Sequence, residues 1–170
     1  PMSSGLSGTC QTASMLAKDF DGKVLVVDNQ RISVPLKHSI LDACTMADMG
    51  MSGQDIKTYL EKTKMDSAVY ITVDTLKYLK KGGRVTPAVA ALGTLLKIKP
   101  VLQIRGEKLD SYAKARTMSQ AKKIMIDALK KDVDDIFDGN AEEVHFDIAH
   151  TQNEAGALSM KALIEETFPG

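Results

Sequence analysis

Apolar residues along this chain occur in two patterns: short unbroken runs, and longer stretches where they recur every three or four positions. Lys23-Val-Leu-Val-Val-Asp28 is a run bounded by charge, and it predicts a strand buried on both faces. Ala68 to Val73 and Pro100 to Ile104 read the same way. Between them lie helical periods: Ala13, Leu16 and Ala17 within Thr9 to Phe20, then Leu36, Ile40, Leu41 and Cys44 within Pro35 to Met49. Ser52 to Met65 opens on a capping-box pattern and continues with Ile56 and Leu60.

In the second half, Thr117-Met-Ser-Gln120 is another capping box. It introduces a stripe of Met118, Ala121, Met125, Leu129, Val133 and Ile136. Val144, Phe146 and Ile148 alternate with His145, Asp147 and Ala149, as in a two-faced strand, and a last helix starts near Asn153. Strands alternating with helices define an α/β chain. A boundary is expected near Lys64 to Asp66, separating residues 1–65 from 66–170. No solenoid period, low-complexity stretch or long Pro/Ser linker interrupts the pattern.

Charge narrows the partners. Lys and Arg number 22, Asp and Glu 22, so the 170-residue chain is formally neutral. It lacks the basic footprint of a nucleic-acid binder and a polybasic segment for anionic lipid. No window approaches the ~18 continuous apolar residues of a membrane span, and the start lacks the form of a signal peptide, so stable membrane insertion is not expected and the cytoplasm is the expected compartment. Cys10 and Cys44 are not in CxxC spacing and read as reduced, packed thiols. The chain begins with Pro1 rather than Met, as a processed protein or a part of a longer one would.

Two segments offer chemistry. Ser3-Ser-Gly-Leu-Ser-Gly-Thr9 runs into a helix, and its glycines, hydroxyls and helix-terminal amides suit an anion; a helix-capping turn that binds nothing accounts for it equally. It is neither GxGxxG, nor a Walker A loop, nor a GxSxG elbow. In Lys80-Lys-Gly-Gly-Arg-Val-Thr-Pro87, Asp74 is expected to cap a short helix that Gly82-Gly83 ends, while Thr86-Pro87 starts the next. Arg84 then lies between two helix ends, either as a forked donor for carboxylate or phosphate or as a plain surface cation. His38, His145 and His150 lack a complete ligand set, so no metal is expected. The Asp132 to Asp138 run lacks the Ca²⁺-loop spacing and reads as a solvated helix face. Met118 and Met125 read as core.

Taken together, the Ser3 to Thr9 motif, Leu76-Lys-Tyr-Leu-Lys-Lys-Gly-Gly-Arg-Val85 and Leu92-Gly-Thr-Leu-Leu-Lys-Ile-Lys-Pro-Val-Leu102 resemble the DegV family of bacterial fatty-acid-binding proteins. Val26-Val-Asp28, Lys114-Ala-Arg116 and Asn153-Glu-Ala-Gly156 fit the same order. The resemblance implies a two-domain α/β protein with a tunnel between the domains for one long-chain fatty acid, such as palmitate or oleate, and no other cofactor. It implies a lipid-binding protein rather than an enzyme, one that presents its ligand to a separate fatty acid kinase subunit for acyl-phosphate formation and phospholipid synthesis. By the same resemblance Ser4 would hydrogen-bond the carboxylate within the Ser3-Ser4-Gly5 loop, and Arg84 would serve phosphoryl transfer or the kinase contact. Family members carry an additional N-terminal portion with an Asp-Ser-Thr-like motif and a His-containing C-terminal end, so this sequence resembles a central segment. The rival reading is a metabolic protein whose Gly/Ser loop binds phosphate or another small anion.

Overall fold

The computed structural model describes residues 1–92 and 98–169. Seven α-helices and three strands are found there: α1 Thr9–Ala17, α2 Ser33–Asp48, α3 Gly53–Lys62, β1 Val69–Thr72, α4 Lys77–Gly82, α5 Pro87–Leu92, β2 Lys99–Ile104, β3 Leu109–Ala115, α6 Met118–Phe137 and α7 Glu154–Thr167. The strands form one sheet in the order β1-β2-β3. The short Arg105–Lys108 connection makes β2 and β3 an antiparallel hairpin. The chain is therefore α/β, as the alternation of patterns predicts. Residues 93–97 of the third sequence motif lie outside the described residues.

Caps place the helices where the sequence does. The Ser52 hydroxyl accepts from the Asp55 amide at 3.2 Å, starting α3. At α6 the Thr117 hydroxyl accepts from the Gln120 amide at 3.1 Å while the Gln120 side chain accepts from the Arg116 amide at 2.8 Å. Asn153 accepts from the Gly156 amide at 3.2 Å to start α7. The Asp55, Gln120 and Gly156 amides are first-turn N–H groups with no partner inside their helices, and the Arg116 amide is the N–H just before the cap, taken back by the capping box.

Two compact units emerge. The first contains Pro1–Ile71, α4, α5 and Leu102–Tyr112. Its core is Cys10, Leu60, Leu76, Val89, Leu92, Leu102, Ile104 and Leu109. The second contains Thr72–Asp74, the first part of β2 and the chain from Ala113 onward, with Val101, Ala115, Ala121, Ile126, Ala128, Val133 and Met160 buried. In this unit Phe146 stacks on Phe168 at 4.6 Å between ring centroids, tying the segment after α6 to the end of α7. A cleft of about 500 Å³ separates the first turn of α6 from α7.

Several expectations need correction. Residues 24–31 form no strand, and Val24 and Leu25 are exposed. Val144 has extended φ and ψ, and Val144 and Phe146 are more buried than His145 and Asp147, yet this segment also joins no ladder. Among the described residues no neighbouring strand lies beside either stretch, and extended backbone becomes sheet only by pairing. The expected apolar faces of α1 and α2 are also largely unburied, with Leu16 60% and Ile40 58% exposed. The buried position of α2 is Ser39, which accepts from Asn29 at 2.8 Å and donates to the Pro35 carbonyl at 3.0 Å. Cys44 is exposed, while Cys10 is packed.

Candidate functional site

The Ser3 to Thr9 loop is built by tight local bonding. The Ser3 carbonyl accepts from the amides of both Leu6 and Ser7 at 3.1 Å, closing a turn. The Ser3 amide donates to the Arg31 carbonyl at 3.2 Å, and its hydroxyl, fully buried, donates to the Glu107 carbonyl at 3.2 Å. The β2–β3 turn is thus pressed against the loop from within the same unit. Gly5 records that closeness: a Cβ there would sit 2.5 Å from both the Cβ and the carbonyl oxygen of Glu107, so only glycine fits.

With Ser3 directed inward, Ser4 faces outward. It is exposed, its amide donates to Asp28 Oδ1 at 3.2 Å, and among the described residues its hydroxyl has no hydrogen-bond partner. Farther along, the Ser7 hydroxyl accepts from the Thr9 amide at 3.3 Å and completes the passage into α1. The loop therefore presents one uncommitted hydroxyl on a backbone whose neighbours are engaged.

Arg84 reaches the same loop. α4 ends at Gly83, whose φ of 70° lies in the left-handed region that glycine enters without strain. Beyond it, Val85 bridges Leu109, and the Thr86 amide donates to the Leu109 carbonyl at 3.1 Å. The Thr86 hydroxyl donates to Asp110 Oδ1 at 2.7 Å and accepts from the Val89 amide at 3.4 Å, starting α5. Between these fixed points Arg84 donates from Nε to the Leu6 carbonyl at 3.3 Å and from Nη1 to the Gly82 carbonyl at 3.0 Å. The side chain is exposed. The Thr86 hydroxyl, with help from the Ser111 amide, holds the Asp110 carboxyl below its usual range.

The expected cap at Asp74 is not formed. α4 begins later, at Lys77, whose amide is taken by the Thr75 hydroxyl at 3.2 Å, and Asp74 pairs with Lys99 at 2.6 Å. Lys99 supplies a charge that a backbone amide cannot, and Thr75 stands closer to the helix start.

Sequence reasoning missed the supports of the site. Arg31 holds Ser3 through its carbonyl, while its guanidinium donates to the Thr63 carbonyl at 2.6 Å and to Ser39 at 3.2 Å. Burial lowers the Arg31 pKa, against opposing contributions from Asp42, Asp66 and Tyr59. An open apolar groove of about 320 Å³ lies in the same unit, lined by residues that include Pro1, Val27, Leu36, Ile40, Ala43, Cys44 and Leu60. Asn29 and Ser39 also border it, whereas Ser4 and Arg84 do not. Among the described residues no group of three or more His, Cys, Asp or Glu side chains is placed to hold a metal ion, and no helix is long and apolar enough to cross a membrane.

An α/β chain with a Gly/Ser loop facing a placed arginine matches a known family over its whole length. The model described as "Uncharacterised protein, DegV family COG1307" matches residues 1–170, and the chain belongs to the DegV family. A DegV domain-containing protein from Deinococcus radiodurans is 37% identical over 120 residues, covering 71% of this chain and 43% of that protein. A structure described as a fatty acid binding DegV family protein, from Streptococcus agalactiae, aligns with a TM-score of 0.83 at 27% identity, over 97% of this chain and 57% of that one. Another, described as fatty acid binding of a DegV family protein from Thermus thermophilus, aligns at 0.71 and 33% identity, over 79% and 48%. The chain spans about half the length of the curated relatives it matches.

Proposed function

We propose that this chain belongs to a protein that binds one long-chain fatty acid, holds its carboxylate at the Ser4 hydroxyl, and presents it to a separate kinase subunit for conversion to an acyl phosphate. The observation that carries the reading is the exposed, uncommitted Ser4 hydroxyl on a loop fixed by its neighbours, with the Arg84 guanidinium hydrogen-bonded to that loop at Leu6. Ser3 and Gly5 shape the binding loop. In this reading the chain is a carrier of substrate rather than an enzyme. In the whole protein, residues 1–65 would contribute to an N-terminal α/β domain and residues 66–170 to a C-terminal one, whereas in this chain α4, α5 and Leu102–Tyr112 group with Pro1–Ile71. The fatty acid binding described for the relatives from Thermus thermophilus and Streptococcus agalactiae supports the ligand class.

The chemistry is consistent. A fatty acid needs an apolar enclosure for its tail and a polar donor for its head. Each methylene removed from water contributes roughly 0.8 kcal/mol, so the tail supplies most of the affinity and a single hydroxyl suffices to orient the carboxylate. The open groove of roughly 320 Å³ in the same unit, which Ser4 does not border, has an apolar lining of the kind such a tail contacts. A neutral hydroxyl leaves the carboxylate its nucleophilic lone pairs. Arg84, exposed and forked, is suited to the charge that develops on a transferring phosphoryl group.

The small-anion reading calls for a polar pocket into which Arg84 points; the apolar groove of this unit is lined by neither Arg84 nor Ser4, so binding has to decide between the two readings. Titration of the delipidated chain with palmitate, oleate and inorganic phosphate, followed by native mass spectrometry, separates the two. Stoichiometric uptake of fatty acid supports the proposal. A response to phosphate with no uptake of either fatty acid overturns it.

A further inference from the structure

We infer that Asp28 is a positioning residue for the Ser4 hydroxyl; the inference rests on the head-group reading of Ser4. Residues 24–31 belong to no sheet, so ladder bonds do not hold Asp28 in place. Side chains of α3 do so. Lys57 donates from Nζ to the Val26 carbonyl at 2.7 Å and lies 3.6 Å from Glu61 Oε1. The same Glu61 oxygen accepts from the Asp28 amide at 3.2 Å. One helix thus grips the chain on both sides of Val27, and the Asp28 carboxylate extends from this grip to the Ser4 amide.

That bond acts on Ser4 in two ways. It restrains the peptide plane entering Ser4, while the turn closed by the Ser3 carbonyl restrains the residues that follow. The Cα–Cβ direction of Ser4 is then set before any ligand arrives, and less ordering is left to be done on binding. It also occupies the Ser4 amide. A head group arriving at Ser4 meets the hydroxyl as donor, with that backbone N–H already taken.

The test uses the 170-residue chain with Asp28→Ala, which removes the acceptor, and Asp28→Asn, which keeps a side-chain carbonyl oxygen at the same place. In a ¹⁵N-labelled protein, Asp28→Ala should move the Ser4 amide proton upfield and weaken palmitate binding about tenfold, the scale of a lost charge-assisted hydrogen bond. Asp28→Asn should recover most of both effects, and in a Ser4→Ala background Asp28→Ala should add little further loss. An unmoved Ser4 amide in Asp28→Ala overturns the inference. So does an Asp28→Asn variant as impaired as Asp28→Ala, or full additivity with Ser4→Ala, since either marks a general structural role. If Ser4→Ala alone leaves palmitate affinity unchanged, the head-group reading fails and the binding role of Asp28 falls with it. The amide shift reports separately on whether the Asp28 bond exists.

Discussion

Arg84 donates from Nε to the main-chain carbonyl of Leu6 at 3.3 Å, joining two motifs that stand 78 residues apart. The contact is to backbone and the side chain is exposed, so Arg84 marks the rim of the loop. Arg84→Ala should leave the fold and fatty-acid affinity essentially unchanged and depress acyl-phosphate formation when a fatty acid kinase is supplied. Arg84→Lys should rescue poorly, because an ammonium cannot reproduce the fork. Equilibrium binding and single-turnover phosphorylation, measured on the same preparations, check the separation. Equal loss of both would place Arg84 at the head group.

Ser4→Ala removes an exposed hydroxyl that supports no other group, so thermal stability should stay within about 0.5 kcal/mol of the parent. Fatty-acid affinity should fall roughly tenfold, on the scale of one hydrogen bond to a charged group. Fluorescent fatty-acid displacement measures the second, and calorimetry the first.

Gly5→Ala should behave in the opposite way. The new methyl would meet the Glu107 backbone, which cannot step aside as a flexible side chain could. A loss of about 1–3 kcal/mol is expected, with disruption of the loop. Gly8, around which nothing lies within 4 Å of an added Cβ, provides the control, and Gly8→Ala should be mild. Urea denaturation of the two variants side by side makes the comparison.

The Asp110 carboxyl is held below its ordinary value chiefly by the Thr86 hydroxyl. A depressed folded pKa contributes stability that is present above the unfolded value and lost as pH falls through the folded one. Thr86→Val should therefore raise the Asp110 pKa toward the usual carboxylate range, as read from its side-chain carbonyl carbon resonance during titration. The stability gap between parent and variant should be widest above that range and narrow as the solution is acidified. A residual, pH-independent gap should persist, because Thr86 also caps α5.

The starts of α3, α6 and α7 were legible because they carry chemistry: Ser52, Thr117 and Asn153 each perform the capping their positions announce, whereas the N-cap residues of α1, α2 and α4 make no side-chain cap. β3 was not anticipated. Leu109, Ser111, Ala113 and Ala115 do alternate with Asp110, Tyr112 and Lys114, yet serine and alanine carry too little apolar contrast to register as a strand face. Val24 to Val27 misled in the other direction, since a hydrophobic run announces burial but cannot supply the neighbour that makes a strand. At the site, the loop and Arg84 were each visible. Their meeting was not, and neither was the support from Asp28, Arg31 and the Glu107 carbonyl, because such contacts depend on tertiary placement rather than on spacing along the chain.

The bond from Ser3 to the β2–β3 turn ends on the carbonyl of Glu107, an atom every residue type possesses. At position 107 the turn is therefore constrained more in length than in spelling, while Gly106 beside it, with φ of 83°, is held to glycine. Replacement of Glu107 should cost little, since its carboxylate accepts only an exposed hydrogen bond from Gln30 at 3.3 Å, whereas adding or deleting one residue between Ile104 and Leu109 would shift the carbonyl out of reach and unseat the loop. Drift can rewrite the side chain at position 107 at little cost, provided that it preserves the count.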